Sequence, residues 1–271
     1  MLGQRIITAI ALLSALLLIV FFTNALIFSL LLSVVTLLAA WEWAKLAGIK
    51  STINRGLYCF GFMLVCSVAY GALQNYLFVI LGLSLGFWML ALFLICTYPR
   101  YNKHWNNVYA LGLMGVLVLL PCWFLLLYLR NYDDFAFNFL SLIVLVAAAD
   151  VGAYFSGKRL GRHKLAEQVS PNKTWEGVIG GIVACFILAV VINVFNDFTQ
   201  KEMISWPVLL SLPFLVSFFS VLGDLFESML KRVRGVKDSG NILPGHGGIL
   251  DRIDGLVSTT PAYILMLVYF I

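Results

Sequence analysis

The sequence predicts an all-α integral membrane protein, folded as a polytopic bundle of about nine transmembrane helices. Hydrophobic residues make up 62% of the 271-residue chain, and its mean hydropathy is +0.96. Soluble domains are only about half apolar. Charged residues account for 11% of the chain. Between them lie repeated apolar stretches of about the 20 residues that a membrane-spanning helix needs.

Nine apolar segments follow one another along the chain, and polar connections separate them. They cover residues 6–22, 25–41, 57–71, 77–98, 108–129, 135–155, 174–195, 207–228 and 255–271. Only Thr23 and Asn24 divide the first two segments, and the third is short, so a count of eight is the alternative. We expect one membrane domain over residues 1–271, with residues 1–130 more structural and residues 131–271 carrying the chemically unusual side chains.

The amino-terminal residues 1–22 contain Arg5 and then a long apolar run, which is also the pattern of a secretory signal. No small-residue cleavage site follows this run, and further apolar segments continue at once. We therefore expect a retained first helix rather than a removed signal.

The distribution of lysine and arginine predicts the orientation of the helices, because cytoplasmic connections carry an excess of both. If Arg5 is cytoplasmic, all but two of the 18 cations fall on the cytoplasmic side. The two exceptions are Arg130 and Lys201. Losing one span would invert every later connection, so this asymmetry favours nine helices with a cytoplasmic amino terminus. The long connections, which hold the unusual residues, then face the cytoplasm, and so does any active site.

Composition also excludes some classes of function. The net charge is +5, but no long basic soluble segment exists to bind a nucleic acid, so we expect no nucleic-acid partner. The five cysteines all lie in apolar stretches and form no C-x-x-C pair. They are expected to be buried small hydrophobes and not metal ligands.

The densest charge in the chain lies in residues 223–254, between two strongly apolar segments. Five of the thirteen carboxylates fall there, which is costly beside a bilayer and usually marks function. Asp224, Glu227, Ser228 and Lys231 follow at i, i+3, i+4 and i+7, which is one face of a helix. The alternative is an ordinary solvated helix end with i,i+4 pairs. The glycine before this face, Gly223, permits close approach by a neighbouring helix.

A second acidic group opens the ninth apolar segment, where Asp251 and Asp254 are three residues apart. Acids at a helix amino terminus are favoured by the helix dipole, so capping is one explanation for one of them. Carboxylates from two helices also suit a hard cation such as Mg²⁺, which keeps sites open for phosphate. Asp224 and Asp251 are therefore candidates to share metal ions of the kind used in phosphoryl displacement.

The stretch between these acidic groups is rich in glycine and cations. Its glycines let backbone amides turn toward an anion, and its cations supply positive charge. These cations are Lys231, Arg232, Arg234 and Lys237. The alternative is a positively charged flank that contacts anionic lipid headgroups. His246 is expected to hydrogen-bond or contact phosphate rather than to carry a proton.

The connection at residues 150–177 is a second candidate anion site. Ser170 is predicted to cap a helix in which Pro171 and Lys173 occupy the first turn, and Thr174 is a competing cap. Free amides, the helix dipole and a lysine together suit phosphate.

Taken together, two anion sites and a carboxylate metal site on a membrane bundle suggest a lipid phosphate that meets a charged soluble partner. They indicate phosphoryl or nucleotidyl transfer at the cytoplasmic interface. The alternative from another class is a transporter of an anionic lipid or nucleotide. Such a transporter requires charged residues at the middle of the bilayer. Here the charges gather on one side, which counts against transport.

At these residues the chain resembles the phosphatidate cytidylyltransferases, or CDP-diacylglycerol synthases. Their signature is matched without departure over 27 positions, residues 228–254. The matching residues are Ser228, Lys231-Arg232, Lys237-Asp238, Gly240, Leu243-Pro244, His246-Gly247-Gly248 and Asp251-Arg252-Ile253-Asp254. Asp150, residues 152–154 and residues 170–177 resemble a second sequence block of the same family. Asn172 is a departure, because lysine is common at that position in the family.

The resemblance implies a reaction in which CTP and phosphatidate give CDP-diacylglycerol and pyrophosphate. The lipid phosphate attacks the α-phosphorus of CTP in line, and positioning and charge neutralisation supply most of the rate enhancement. The attacking oxygen is already anionic, so no general base is required. Transfer to another lipid phosphate uses the same chemistry and is a further alternative.

The resemblance also implies roles for individual residues. Asp224 and Asp251 are expected to bind Mg²⁺ and, with Lys231, to form the catalytic set. The expected substrate-binding residues are Asp150, Ser170, Lys173, Ser228, Arg232, Lys237 and His246. Family membership further implies a homodimer in the cytoplasmic (inner) membrane, and it leaves open a monovalent cation such as K⁺ beside Mg²⁺.

Overall fold

The computed structural model describes residues 2–73, 76–132, 134–198, 205–243, 245 and 247–270. Most of these residues are helical. The helices are α1 (Leu2–Phe22), α2 (Ala25–Leu46), α3 (Thr52–Leu73), α4 (Leu77–Thr97), α5 (Asn102–Trp105), α6 (Val108–Arg130), α7 (Phe135–Leu160), α8 (Trp175–Phe198), α9 (Trp206–Arg234) and α10 (Leu250–Phe270). Two short strands, β1 (Lys164–Ala166) and β2 (Ser170–Thr174), lie between α7 and α8.

Each of the nine predicted apolar segments lies on a long helix of this structure. Within the described ranges, seven helices (α2 to α4 and α6 to α9) are long and apolar enough to cross a membrane. The apolar part of α1, Ile7–Phe22, is shorter. The all-α, multi-pass membrane class is therefore confirmed, whereas nine crossings stay a prediction.

Asparagine caps begin two of these helices. The side chain of Asn24 accepts a hydrogen bond from the amide of Ile27 at 2.9 Å, and Asn107 accepts one from Ala110 at 2.8 Å. Each cap satisfies an amide that the first turn would leave without a partner. The predicted break at Thr23 and Asn24 is thus a real boundary between α1 and α2.

Helix α9 runs six residues beyond its apolar segment, which was predicted to end at residue 228, and stops at Arg234. Gly235 ends it with a positive φ of 66°. The amide of Val236 donates to the carbonyl of Lys231 at 3.0 Å, and that of Gly235 donates to Arg232 at 3.1 Å. This pair of bonds is a Schellman cap. The charged signature residues up to Arg234 therefore lie on a regular helix.

The chain forms two compact units that interleave along the sequence. The first unit comprises residues 1–83, 101–136 and 230–253, and the second comprises residues 84–100, 137–229 and 254–271. Helices α9 and α10 each contribute residues to both units. A single membrane domain over residues 1–271 stays a prediction.

In the first unit, α2, α3 and α6 pack around a tryptophan. The indole nitrogen of Trp43 donates to the carbonyl of Leu111 at 2.7 Å, and the Tyr58 hydroxyl donates to Gly112 at 2.9 Å. A Cβ at Gly115 would clash with both aromatic side chains. Glycine at this position therefore allows α6 to approach α2 and α3 closely.

In the second unit, glycines bring pairs of helices together. A Cβ at Gly152 in α7 would lie only 2.6 Å from the carbonyl oxygen of Gly180 in α8. A Cβ at Gly223 in α9 would clash with Ser258 of α10, whose hydroxyl donates to the carbonyl of Phe219 at 2.7 Å. Small residues commonly permit such close helix packing in membranes. The predicted role of Gly223 in close helix approach is confirmed.

The connection between α7 and α8 is a β-hairpin, so the prediction that Ser170 caps a helix containing Pro171 is wrong. Strand β2 pairs antiparallel with β1, with Lys164 opposite Thr174. The hydroxyl of buried Thr174 accepts a hydrogen bond from the amide of Gly177 at 3.1 Å, which makes Thr174 the cap of α8. Ser170 and Pro171 are extended because their backbone belongs to this strand pair.

Candidate active site

Strand β2 and helix α9 meet at an ion pair in the second unit. Lys173 Nζ lies 2.6 Å from Asp224 Oδ2, and the two side chains are 21% and 41% exposed. Lys173 also donates to the carbonyl of Val221 at 3.4 Å. The residue-150–177 connection and α9 are thus in direct contact, and a shared substrate site stays a prediction. Lys173 makes this contact from a strand and not from the first turn of a helix.

Three further carboxyl groups surround this pair, and we call Asp150, Asp224, Glu227 and Asp254 the acidic cluster. Asp150 accepts a hydrogen bond from the Ser220 hydroxyl at 2.9 Å and interacts electrostatically with Asp224. Asp254 interacts with both Asp224 and Glu227. Ionised carboxylates this close together repel one another, and a bound cation would offset that repulsion.

Ser228 orients one member of this cluster. Its hydroxyl donates to Asp224 Oδ1 at 3.3 Å, one helical turn away. This is the i,i+4 pair that the sequence offered as an alternative to a functional face. Ser228 and Lys173 contact different oxygens of the Asp224 carboxylate, so the two contacts coexist. Pairing and function are therefore compatible at this position.

The first unit contains a second, more buried lysine–carboxylate pair. Lys231 Nζ lies 2.7 Å from Asp251 Oδ1, and the side chains are only 14% and 7% exposed. Asp251 Oδ2 also accepts hydrogen bonds from the amides of Ser239 at 3.0 Å and Gly248 at 2.8 Å. Asp251 therefore ties together the end of α9, the following loop and the start of α10. Asp251 lies in the first turn of α10, where the helix dipole favours an acid, but both amides that donate to it precede the helix.

Neither ion pair includes the remaining predicted site residues that the structure describes. Arg232 and Lys237 are exposed, and Ser170 is partly buried in β2. His246 lies outside the described residues. Asp224 and Asp251 belong to different units, so a metal ion shared by the two stays a prediction.

Sequence reasoning missed Glu42. This residue is 2% exposed at the end of α2. Its Oε2 accepts hydrogen bonds from the hydroxyl of Ser239 at 3.1 Å and the amide of Leu250 at 2.9 Å. One signal was available, because Glu42 is the only carboxylate in the first 132 residues. Its partners, however, are about 200 residues away in the sequence, and no local spacing connects them.

The donor chemistry of both pairs fits Mg²⁺. Carboxylate and hydroxyl oxygens are hard ligands, and no cysteine or histidine belongs to either group. Over the ranges that the structure describes, no three His, Cys, Asp or Glu side chains are grouped closely enough to hold a metal by themselves. Which metal ion binds here, and through which residues, stays a prediction.

Fold and site together define a polytopic membrane protein with lysine–carboxylate pairs suited to phosphate chemistry. The chain matches the cytidylyltransferase family over residues 3–270. A match over almost the whole chain establishes membership, so this chain belongs to the cytidylyltransferase family. The class predicted from the signature, a CTP-using nucleotidyltransferase, is confirmed.

Individual relatives agree with this assignment. A protein of Pseudomonas aeruginosa named phosphatidate cytidylyltransferase is 41% identical over 98% of this chain and 97% of its own length. Proteins with the same name from Haemophilus influenzae and Bacillus subtilis are 37% and 39% identical. Those alignments cover 97% and 67% of this chain and 97% and 68% of the relatives. Each of these names is that of an enzyme and not of a transporter.

Proposed function

We propose that this chain is a phosphatidate cytidylyltransferase, which converts CTP and phosphatidate into CDP-diacylglycerol and pyrophosphate. The observation that carries the proposal is the 41% identity to an enzyme of that name over 98% of the chain. The paired lysines and carboxylates support it, because they lie in the parts of the chain that resemble the family's motifs.

The reaction requires positioning and charge neutralisation more than proton transfer. An oxygen of the phosphatidate phosphate forms a bond to the α-phosphorus of CTP, and the bond from that phosphorus to the bridging oxygen of the β-phosphate breaks. Pyrophosphate leaves with the electron pair. The nucleophile is already an anion, so the protein has to bring two polyanions together and offset their repulsion.

Lys173 and Lys231 supply that positive charge. Each ammonium group has three donors, and the structure shows each one held by an aspartate at 2.6 or 2.7 Å. A charged ammonium group makes strong hydrogen bonds to phosphate oxygens, so we assign both lysines to the substrate phosphates as well as to their aspartates. Mg²⁺, held by Asp224 and Asp251, would neutralise the triphosphate and the leaving pyrophosphate.

The other proposed contacts surround the same pairs. Ser228 orients Asp224 through its hydroxyl, and Asp150 lies beside Lys173 and Asp224. Weaker phosphate contacts are proposed for Ser170, Arg232, Lys237 and His246. A monovalent cation such as K⁺ and a homodimeric assembly belong to the same proposal and rest on family resemblance.

We place this enzyme in the cytoplasmic (inner) membrane with its amino terminus and its site facing the cytoplasm. The support is the distribution of lysine and arginine, because 18 cations fall almost entirely in alternate connections. CTP is a soluble cytoplasmic nucleotide, whereas phosphatidate is a membrane lipid. A site at helix ends on that face gives both substrates access.

A turnover assay with one matched control tests the proposal. Purified protein receives Mg²⁺, CTP and phosphatidate, and CDP-diacylglycerol is measured for wild type, Asp224→Asn and Glu167→Gln. Glu167 is an exposed carboxylate in the hairpin turn. We expect product from wild type and Glu167→Gln, a loss of roughly 100-fold or more in Asp224→Asn, and no turnover after chelation of the metal. Absence of product from wild type, or equal rates for Asp224→Asn and wild type, contradicts the proposal.

A further inference from the structure

Glu42 is a buried carboxylate that no part of the proposed chemistry uses. It lies at the carboxyl end of α2, and only 2% of the residue is exposed. Oε2 accepts both of its hydrogen bonds, from Ser239 and from the amide of Leu250, and Oε1 has no hydrogen-bond partner. Burying a carboxylate is costly, and a leucine would fill the same volume without that cost. Packing alone therefore does not explain glutamate at this position.

Two glycines of the signature make room for this side chain. A Cβ at Gly240 would clash with Oε1 of Glu42, and a Cβ at Gly248 would clash with both Glu42 and the Ser239 hydroxyl. Neither glycine has a positive φ, in contrast to Gly235, Gly245 and Gly247. The sequence suggested that these glycines free the backbone for an anion. At Gly240 and Gly248 the structure gives a different reason, which is the close approach of Glu42.

Ser239 connects Glu42 to the buried ion pair. Its hydroxyl donates to Glu42 at 3.1 Å, and its amide donates to Asp251 Oδ2 at 3.0 Å. Leu250, whose amide donates to Glu42, is the residue immediately before Asp251. Glu42 therefore contacts the residue immediately before Asp251 and also a residue whose amide donates to Asp251.

We propose that Glu42 is a positioning residue for Asp251. It fixes Ser239 and the first turn of α10, so that Asp251 keeps its orientation toward Lys231. Its role in turnover rests on the proposed cytidylyltransfer, whereas its role in holding the loop does not. Glu42 contacts neither member of the ion pair and acts through Ser239 and Leu250.

Four variants separate this role from general stability. Glu42→Gln keeps an oxygen acceptor toward Ser239 and Leu250, and Glu42→Leu keeps the volume but removes the acceptor. Ser239→Ala removes one of the two donors to Glu42, and it takes the place of Glu42→Leu in the comparison if that variant does not fold. Thr36→Val is the matched control, because Thr36 is another buried polar residue of α2 whose hydroxyl donates only within its own helix, to Leu32 at 2.8 Å.

Two measurements are made on the full-length protein in detergent micelles. Amide hydrogen exchange at Ser239, Gly248 and Leu250 reports the loop without any turnover. Steady-state kinetics report kcat, the KM for phosphatidate and the Mg²⁺ concentration that gives half-maximal rate. For Glu42→Leu we expect about 10-fold faster exchange at Leu250. We also expect a 10- to 100-fold lower kcat, the typical effect of losing a residue that orients a ligand, with a higher Mg²⁺ requirement and an unchanged KM for phosphatidate.

Glu42→Gln is expected to restore exchange and kcat to near the wild-type values, and Ser239→Ala to give a smaller change in the same direction as Glu42→Leu. The proposal is overturned if Glu42→Leu and Ser239→Ala exchange like Thr36→Val, or if Glu42→Gln is as impaired as Glu42→Leu. If exchange responds as expected but wild type makes no CDP-diacylglycerol, the positioning of the loop stands and the proposed function fails.

Discussion

The two lysine–carboxylate pairs differ in burial, and we expect different costs when each lysine is replaced by methionine. In Lys231→Met the partner carboxylate stays in a site where it is 7% exposed. Leaving one member of a buried pair typically costs 3–5 kcal/mol, and the two amides that still donate to Asp251 favour the lower end, about 3 kcal/mol. In Lys173→Met the partner Asp224 is 41% exposed. Solvent screens the charge of Asp224, so we expect Lys173→Met to lower the free energy of unfolding by about 1 kcal/mol or less.

Equilibrium unfolding of the purified protein in micelles measures this difference. The chain contains seven tryptophans, so fluorescence follows denaturant titrations directly. Lys50→Met is the control, because Lys50 is exposed after α2 and belongs to neither pair. The free energy of unfolding of Lys50→Met should stay within about 0.5 kcal/mol of the wild-type value. Both site variants should lose turnover, because each removes a proposed phosphate contact.

The reasoning is refuted if Lys173→Met destabilises the protein as much as Lys231→Met, or more. Equal losses would mean that burial does not distinguish the two pairs in the folded protein. A Lys231→Met variant as stable as Lys50→Met would contradict the ion pair itself.

Four other substitutions test three local features of the fold by the same unfolding measurement. Thr174→Val should cost about 1 kcal/mol because it removes the cap of α8, whereas Ser170→Ala should be near neutral. A larger loss of stability in Ser170→Ala than in Thr174→Val would contradict Thr174 as the cap. Arg234→Lys should cost about 2 kcal/mol, because a single ammonium cannot reproduce the two 2.6 Å hydrogen bonds that the guanidinium donates to carbonyls at the end of α2. Unchanged stability would contradict a stabilising role for these two bonds. Gly115→Ala should cost about 1–3 kcal/mol through its clash with two aromatic side chains, unless α6 shifts without penalty.

Hydropathy predicted the long helices because each apolar run has to satisfy its own backbone inside a membrane. The ends of these helices were less predictable. Helix α9 continues to Arg234 on polar residues that hydropathy assigns to a loop, and only its cap at Gly235 stops it. Spacing along a single helix also anticipated the pairing of Ser228 with Asp224.

Contacts between distant parts of the chain could not be predicted from the sequence. The hairpin was read as a helix start because Ser170 and Pro171 fit a cap, and only pairing with β1 decides otherwise. Glu42 follows the apolar segment 25–41 and drew no prediction, since the donors that explain it lie far along the chain. Motif spacing identifies residues that act together on one helix, whereas tertiary contacts reveal what holds them.

The position of the bond that breaks in CTP tests the central claim most directly. Purified protein is incubated with phosphatidate, Mg²⁺ and CTP carrying ³²P at either the α- or the γ-phosphorus. The proposed attack predicts that the α label appears in the lipid product and the γ label in pyrophosphate. Label from the γ position in the lipid, or no label in lipid from either nucleotide, would contradict cytidylyl transfer by this protein.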